Sequence, residues 1–189
     1  MQSGLAGSAG GGMTAGGHDS TVSRGATRPK PHGRSFEREC GVADQLTVRV
    51  LTLDDYDRWM AVWERAGLHS VRPRGRDSRQ AFDQQLSSGT HVMIGLELDD
   101  ELIGVVLATH DGRKGWINRL AVVPEHRRRG YGARLLAEAE SVLKEKGMRV
   151  IAALIEPGNE TSLALFTKLG YVEQPGGMHY VSKRDSEDA

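Results

Sequence analysis

Three arginines and two glycines follow one another closely in the middle of the chain, in VVPEHRRRGYGARLL, residues 122–136. An apolar run comes before them and an amphipathic helical pattern after them, which predicts a turn leading from a strand into a helix. The first N–H groups of a helix have no partners and carry partial positive charge, which favours an anion. Gly130 and Gly132 take away side chains that would keep a phosphate from those groups. The sequence therefore predicts a diphosphate site, to which the arginines add charge.

Two better-known phosphate motifs do not match this turn. A P-loop requires Gly-Lys-Ser/Thr, and a dinucleotide fingerprint requires a glycine where this chain has Leu135, with an acidic residue about twenty positions later. Arginine-rich turns are also often plain solvated surface. The order of apolar strand, Pro124, basic turn and Gly-x-Gly before an amphipathic helix favours the anion site over that interpretation.

Charge and composition narrow the remaining function classes. Lys+Arg and Asp+Glu both total 25, and a chain with formal net charge +0 gives no general reason to expect a nucleic acid or an anionic membrane as partner. Cys40 is the only cysteine, which excludes an intrachain disulfide and multi-cysteine metal sites. No apolar run approaches the ~18 residues of a membrane span, and the N-terminus lacks a secretory signal pattern. We expect a cytoplasmic protein that needs no metal.

The length of 189 residues suits one domain with tails. Residues 1–44 are Gly/Ser-rich and then basic, and they offer too little branched apolar surface to offset the entropy of ordering. We predict that they form a disordered tail. Residues 45–184 make up the predicted domain, and residues 185–189 a polar C-terminal tail.

Hydrophobic periodicity predicts the order of elements in this domain. Alternation from Leu46 predicts a first strand, Trp59 and Trp63 belong to the apolar core face of a helix that ends at Gly67, and a second helix begins near residues 77–78. The later predicted elements are strands at 91–98, 102–109 and 116–123, a helix at 132–146, a strand at 150–155, a helix at 159–169 and a closing strand at 178–182.

The pattern of these elements indicates the fold class. Residues 91–123 predict antiparallel strands, whereas residues 116–155 predict a strand, a helix and a strand with enough chain for a crossover. Strands joined by such a crossover lie parallel in one sheet. We therefore predict an α/β fold with a mixed central sheet, antiparallel in its N-terminal half and parallel in its C-terminal half, with flanking helices.

Two blocks of the sequence resemble one family. LAVVPEHRRRGYGARLL is similar to the acyl-CoA signature Arg/Gln-x-x-Gly-x-Gly/Ala of the GNAT superfamily of N-acetyltransferases, with Arg127, Gly130 and Gly132 at the signature positions. NETSLALFTKLGY resembles a later helix of the same superfamily, and the two blocks occur in the family order. The resemblance covers about residues 46–184 and implies a GNAT-like fold and the transfer of an acetyl group from acetyl-CoA to a primary amine.

The resemblance also implies where acetyl-CoA binds. In this family the pyrophosphate lies on the N–H groups of the basic turn, the pantetheine arm pairs with the strand before it, and the thioester enters a gap between that strand and the next parallel one. Carried onto this chain, the acetyl-CoA contacts are Leu120, Ala121, Val122, Arg127, Arg128, Arg129, Gly130, Tyr131, Gly132, Ala133, Asn159 and Phe166. No metal site is implied.

The acceptor side is less specific. In GNAT relatives the first two helices and the loop between them form the acceptor wall, and here that loop is residues 67–78. Its Arg72, Arg74 and Arg76 favour an acceptor of acidic character, or else they are solvated residues that pair with Asp77 and the helix ends. The amine could belong to a small molecule, a peptide or a protein, and family members are often dimers, so a homodimer is compatible with the resemblance.

The catalytic groups depart from the family pattern. Many members use a tyrosine of the later helix as acid, and this chain has Phe166 there; glutamates used as base elsewhere correspond to Trp116 and Leu154. Asn118, which could hold a water, and Glu156 are the remaining candidates. We expect deprotonation through ordered water and leave the base unassigned. The alternative is a GNAT-like protein that binds acyl-CoA with weak or no catalysis.

Two further side chains are predicted to stand outside the chemistry. Tyr171 matches a terminal core aromatic of the family rather than an acid. Glu97, on the predicted hairpin, is expected to be a carboxylate that faces solvent.

Overall fold

Five strands form one mixed sheet in the computed structural model, which describes residues 45–174, Val181 and Lys183, all within the unit Gly41–Ala189. The strands are β1 (Leu46–Val50), β2 (His91–Leu98), β3 (Glu101–His110), β4 (Gly115–Val122) and β5 (Ile151–Ala153). The α-helices among the described residues are α1 (Tyr56–Ala66), α2 (Arg79–Ser87), α3 (Tyr131–Glu145) and α4 (Glu160–Lys168). The predicted tails and, apart from Val181, the predicted closing strand lie outside the described residues.

The strands follow one another across the sheet in chain order, β1-β2-β3-β4-β5. Pairing is antiparallel from β1 to β4, whereas β4 and β5 pair parallel and are joined through α3. The length of that connection is what a parallel pair requires. The predicted mixed α/β fold is confirmed.

Local capping fixes the ends of the segment between α1 and α2. Gly67 has a left-handed φ of 77° and ends α1, as a glycine at this position commonly does. At the other end, the Ser78 hydroxyl oxygen accepts a hydrogen bond from the N–H of Ala81 at 3.2 Å and thereby caps α2. The intervening loop, residues 67–78, is therefore held between two fixed helix ends.

The core lies on both faces of the sheet. β3 is buried continuously from Leu102 to Ala108, so residues that point to opposite faces are equally covered. Trp59 and Trp63 of α1 are each 0% exposed and their rings contact Phe82 of α2, which confirms that both tryptophans belong to the core. Aromatic pairs in this edge-to-face and tilted geometry add to the stabilisation from burial.

Glu97 does not face solvent, and that prediction is wrong. Its side chain is 12% exposed, and one carboxylate oxygen lies 2.8 Å from Nη2 of Arg49 on the neighbouring strand β1 and 2.8 Å from Nη1 of Arg58 on α1. Asp55, with 10% of its side chain exposed, binds the same two arginines. Alternation along a strand does predict an outward position for Glu97, but Arg49 of β1 and Arg58 of α1 cover it, and only the tertiary structure shows this.

Candidate functional site

The basic turn has an unusual backbone. A short 3-10 turn (Pro124–His126) leads into Arg127, whose backbone is extended, and then into Arg128 with a left-handed φ of 65°. Gly130 is left-handed again, with φ 84°, and is the N-terminal cap of α3. A left-handed arginine is uncommon because its Cβ crowds the backbone, whereas glycine adopts this conformation at little cost. Two left-handed residues separated by a single residue turn the chain sharply before α3 begins.

The N–H groups of this turn are available to a ligand. The first helical hydrogen bond of α3 runs from the N–H of Arg134 to the carbonyl of Gly130 at 3.1 Å. Within the described part of the chain, no acceptor binds the N–H groups of residues 128–133. Successive N–H groups that converge in such a turn, backed by the positive end of a helix, form a pocket for an anion.

The three arginines of the turn have different roles. Arg127 points inward: its Nε donates to the carbonyl of Val122 at 2.9 Å, and its Nη2 donates to the carbonyl of Ala66 at 2.9 Å. It therefore ties the end of β4 to the C-terminus of α1, where a cation is favourable. The side chains of Arg128 and Arg129 are exposed and have no hydrogen-bond or ion-pair partner among the described residues. These two carry the charge that a phosphate could use.

Gly132 has a second reason to be glycine besides the one predicted. A Cβ at this position would lie 3.2 Å from a methyl carbon of Leu165 on α4, so the missing side chain makes room for helix packing. At Gly130 a Cβ would meet nothing within 4 Å, and there the backbone conformation alone requires glycine. A bulky residue at position 132 would therefore disturb α4 as well as any ligand.

A bulge in β4 opens the sheet next to this turn. Val105 of β3 faces Ala121, but Leu107 faces Asn118, so two residues of β4, Arg119 and Leu120, stand opposite one residue of β3. Arg119 has a left-handed φ of 53° at this point. Bulges of this kind bend a strand and increase its twist.

The pairing of β4 with β5 ends just before this bulge. The parallel pairing of these strands covers only Gly115–Ile117 and Ile151–Ala153, and β4 continues to Val122 without β5 beside it. β5 is shorter than the predicted strand 150–155, and Leu154 beyond it is 58% exposed. The N–H of Val123 donates to the carbonyl of Ile103 on β3, so strand alternation turns the main-chain groups of Val122 to the opposite side. There the N–H of Val122 faces the gap, while its carbonyl is already bound by Nε of Arg127.

The site thus consists of an open strand edge that ends in a turn of free N–H groups. The model of the acetyltransferase (GNAT) family matches residues 54–171, which include every one of these elements. The chain is a GNAT-family acetyltransferase. This membership confirms both the resemblance seen in the sequence and the predicted enzyme class.

Individual relatives agree with the family match. An acetyltransferase of Sodalis glossinidius is 27% identical over 143 residues, which are 76% of this chain and 98% of that protein. The aminoglycoside acetyltransferase AAC(6')-Iy, solved with a CoA-containing bisubstrate analogue, has a TM-score of 0.62 at 19% identity over 74% of this chain and 99% of its own. An acetyltransferase from Clostridium acetobutylicum, solved with acetyl-CoA, has a TM-score of 0.60 at 16% identity over 72% and 96%. The two structural likenesses show the shared fold.

The two predicted base candidates of this acetyltransferase lie in different surroundings. Asn118 is the first residue of β4 beyond its pairing with β5, at the inner end of the gap, and its Nδ2 donates to the Thr109 hydroxyl at 2.9 Å. Its side-chain oxygen remains for a water. Glu156 is exposed in the turn before α4, where its main-chain carbonyl accepts from the N–H of Asn159. Position favours Asn118 as the residue that could hold a water.

Residues of α4 are used mainly for structure. Oδ1 of Asn159 accepts from the N–H of Ser162 at 3.1 Å and caps the helix. Phe166 is 5% exposed, and its ring meets that of Tyr171 edge-on at 4.8 Å between centroids. Only a small part of the Phe166 ring is therefore accessible for the predicted contact with the cofactor.

The hydroxyl of Tyr171 is held in a contact that does not suit a general acid. Its hydroxyl donates to a carboxylate oxygen of Glu140 at 3.1 Å, and burial together with that carboxylate raises the pKa of the Tyr171 hydroxyl well above its usual range. Lys144 binds the other oxygen of Glu140 at 2.9 Å.

We expect Tyr171→Phe to lower the free energy of unfolding by about 1 kcal/mol and to leave kcat within about 2-fold of wild type. A fall in kcat of ~10²-fold, the usual contribution of a general acid, would contradict this assignment.

The loop of residues 67–78 is organised around Asp77. One carboxylate oxygen of Asp77 accepts from the N–H of Arg72 at 2.7 Å, and the other lies 2.6 Å from Nη1 of Arg119 on β4. The guanidinium groups of Arg72 and Arg76 donate to carbonyls within the loop, at His69, Val71 and Ser70. Arg119 and its pairing with Asp77 were missed in the sequence, because neither a bulge nor a long-range ion pair leaves a periodic signal.

Metal-binding clusters and membrane-spanning helices are both absent from the described residues. Across residues 45–174, Val181 and Lys183, no three His, Cys, Asp or Glu side chains come together as a metal site. The same part of the chain contains no helix with the length and apolar character needed to cross a membrane.

Proposed function

We propose that this acetyltransferase transfers the acetyl group of acetyl-CoA directly to a primary amine. The observation that carries the proposal is the run of free N–H groups at residues 128–133, at the mouth of the gap beside β4. In the proposed complex the diphosphate binds these N–H groups and the side chains of Arg128 and Arg129. The pantetheine arm lies along Leu120–Val122, and the thioester reaches the inner end of the gap near Asn118.

The main task of the protein in this reaction is to position the amine and the thioester. A primary amine with a pKa near ~10 is mostly protonated at neutral pH and must lose a proton before it attacks the thioester carbonyl. In our proposal a water held by Asn118 takes that proton, and a main-chain N–H at the strand edge binds the developing oxyanion. The C–S bond then breaks, and CoA leaves as a thiolate, which at a thiol pKa near ~8.5 needs little help from an acid. The attacking nitrogen loses its second proton in this step and passes it through water to the thiolate or to solvent. Phe166 in place of a tyrosine is compatible with turnover by this route.

The charge of the acceptor loop suggests which amines are used. Residues 67–78 carry three arginines and one aspartate, and the carboxylate of Asp77 is already paired with Arg119. Nε of Arg76 also lies 3.8 Å from that carboxylate, but three arginines against one aspartate still leave the loop with a net positive formal charge. We therefore propose an acceptor amine that also carries an anionic group, in contrast to the polycationic aminoglycosides named for several structural neighbours. We also propose a cytoplasmic setting for this reaction, which a single cysteine suits.

An acetyl-transfer screen tests this function. Acetyl-CoA at about 100 times its Kd is expected to stabilise the protein by about 2.7 kcal/mol through linkage, seen as a higher Tm. Release of free thiol is then followed with matched amines, such as glutamate against glutamine, and with an aminoglycoside. We expect faster release with the acidic member of each pair.

The screen separates the competing interpretations. A Tm increase without thiol release for any amine would favour a protein that binds acyl-CoA and does not turn it over. Neither stabilisation nor thiol release would contradict the proposed function itself. Fastest release with the aminoglycoside would leave the acetyl transfer standing and overturn the anionic acceptor.

A further inference from the structure

Arg119 is the residue at which the bulge of β4 meets the acceptor loop. Its backbone is left-handed, with φ 53°, although it carries a long side chain. Such a conformation persists only where the surroundings hold it. The side chain is also largely buried, with 14% exposed, which is unusual for an arginine unless it is paired.

Three contacts hold Arg119 in this position, and two of them come from one tryptophan. The ring of Trp63 on α1 lies under the guanidinium, with 5.0 Å between Cζ and the ring centroid. The indole N–H of the same Trp63 donates to the main-chain carbonyl of Arg119 at 3.3 Å. The third contact is the ion pair between Nη1 of Arg119 and Oδ1 of Asp77, at 2.6 Å.

Asp77 is fixed as firmly on the loop side. Its side chain is 4% exposed, and its main-chain N–H donates to the carbonyl of Arg72 at 3.1 Å while its carboxylate accepts from the N–H of the same residue. The Tyr56 hydroxyl donates to the main-chain carbonyl of Asp77 at 2.8 Å. The Asp77 carboxylate therefore binds both the loop, through the N–H of Arg72, and the bulge of β4, through Arg119.

We infer that Arg119 and Asp77 are a positioning pair that couples the acceptor loop to the open edge of β4. The inference rests on the proposed function, because it assigns the loop to the acceptor and the edge at Leu120–Val122 to the thioester arm. The ion pair fixes how far the acceptor loop lies from the edge of β4, and these two elements are the walls of the reaction gap. Neither residue touches the reacting atoms.

Steady-state kinetics test the pair. Arg119→Met/Asp77→Asn removes both charges and leaves no buried charge unpaired, so it is expected to fold. The acceptor KM is expected to rise and kcat to fall, each about 10-fold, while the Kd for CoA stays within about 3-fold, because the diphosphate turn is not part of the pair. Arg119→Lys keeps the attraction to Asp77 but loses the planar stacking on Trp63, so it is expected to recover only part of the loss, to about 3-fold below wild type.

A matched control separates positioning from general stability. Arg49→Met/Asp55→Asn removes an ion pair of similar length, 2.7 Å, between β1 and the segment before α1, three strands away from β4. It is expected to lower Tm without changing the acceptor KM. Equal changes in KM for the two double variants, or unchanged kinetics in Arg119→Met/Asp77→Asn, would show that the Arg119 pair is merely structural.

Hydrogen exchange on the wild-type protein gives a second test that does not depend on any variant folding. CoA is expected to slow exchange at residues 120–122 and, through the pair, in residues 67–78 as well. Slower exchange at residues 120–122 alone would overturn the inference while leaving the proposed function intact. A wild-type protein that neither binds CoA nor releases thiol would instead contradict the proposed function.

Discussion

Gly130→Val is expected to weaken acetyl-CoA binding by about 5- to 150-fold, because the turn must be forced back into its left-handed conformation before the N–H groups converge. A β-branched residue at φ 84° costs about 1–3 kcal/mol, and each 1.4 kcal/mol corresponds to a factor of ten in Kd. An added Cβ at this position would contact no atom of the protein within 4 Å. The loss would therefore come from backbone conformation and not from a clash, and isothermal titration calorimetry measures it directly.

The other end of the same helix provides a matched control. Gly147 follows α3 with φ 83°, and a Cβ there would also meet nothing within 4 Å. Gly147→Val should cost a similar free energy of unfolding, but it lies about 20 Å along the helix from the basic turn. We expect its affinity for acetyl-CoA to equal that of wild type. Equal losses of affinity in the two variants would mean that CoA does not bind at residues 128–133.

Arg49→Met is expected to reduce the free energy of unfolding by about 2–4 kcal/mol at pH 7. Nη2 of Arg49 lies 2.7 Å from Asp55 and 2.8 Å from Glu97, and without it the two carboxylates would share only Arg58. Removing one partner of a buried ion pair costs about 3–5 kcal/mol, and the estimate is lower here because 35% of the Arg49 side chain is exposed to solvent. Urea-induced unfolding measures the difference.

The effect of Arg49→Met should depend on pH. Hydrogen bonds from Arg49 hold the pKa of Asp55 well below its usual range and lower the pKa of Glu97. A carboxyl with a lowered pKa contributes its full stabilisation above the unfolded-state pKa, near ~4, and loses it as pH falls through the folded-state value. The wild-type protein should therefore lose stability steeply on acidification, and the difference between wild type and variant should shrink toward pH ~3.

A surface pair serves as the control for this prediction. Arg65 binds Glu101 at 2.9 Å, but the two side chains are 42% and 55% exposed. Arg65→Met is expected to unfold at nearly the same urea concentration as wild type, since solvent screens exposed pairs. A difference between wild type and Arg49→Met that stayed constant from pH 7 to pH ~3 would contradict the role of the two carboxylates.

Local signals explain why much of the fold could be predicted. Each helix among the described residues has its own apolar stripe and its own cap, as with Ser78 at the start of α2 and Gly67 at the end of α1. The crossover between β4 and β5 follows from chain length and handedness. β5 was predicted too long because Leu154 and Ile155 continue the apolar run, although the strand has already left its partner at Ala153.

The sequence predicted where the candidate turn lies but not what its individual residues contact. Gly-x-Gly before an amphipathic helix identified the turn, yet Arg127 points at two carbonyls and Gly132 accommodates Leu165. A sequence motif names the residue types that a backbone geometry tolerates. It does not say whether a given side chain faces the ligand or the neighbouring helix, because that depends on residues such as Ala66 and Leu165 from other elements.

By itself the sequence determined the mixed α/β fold, the GNAT family and the position of the glycine-containing turn before α3, because each depends on patterns within a few tens of residues. Only the tertiary structure decided that Glu97 is covered by arginines, that β4 bulges at Arg119 and that Asp77 pairs with that bulge. These features join residues that are far apart in the chain. Long-range charge pairing and strand register arise from packing, and no local pattern records them.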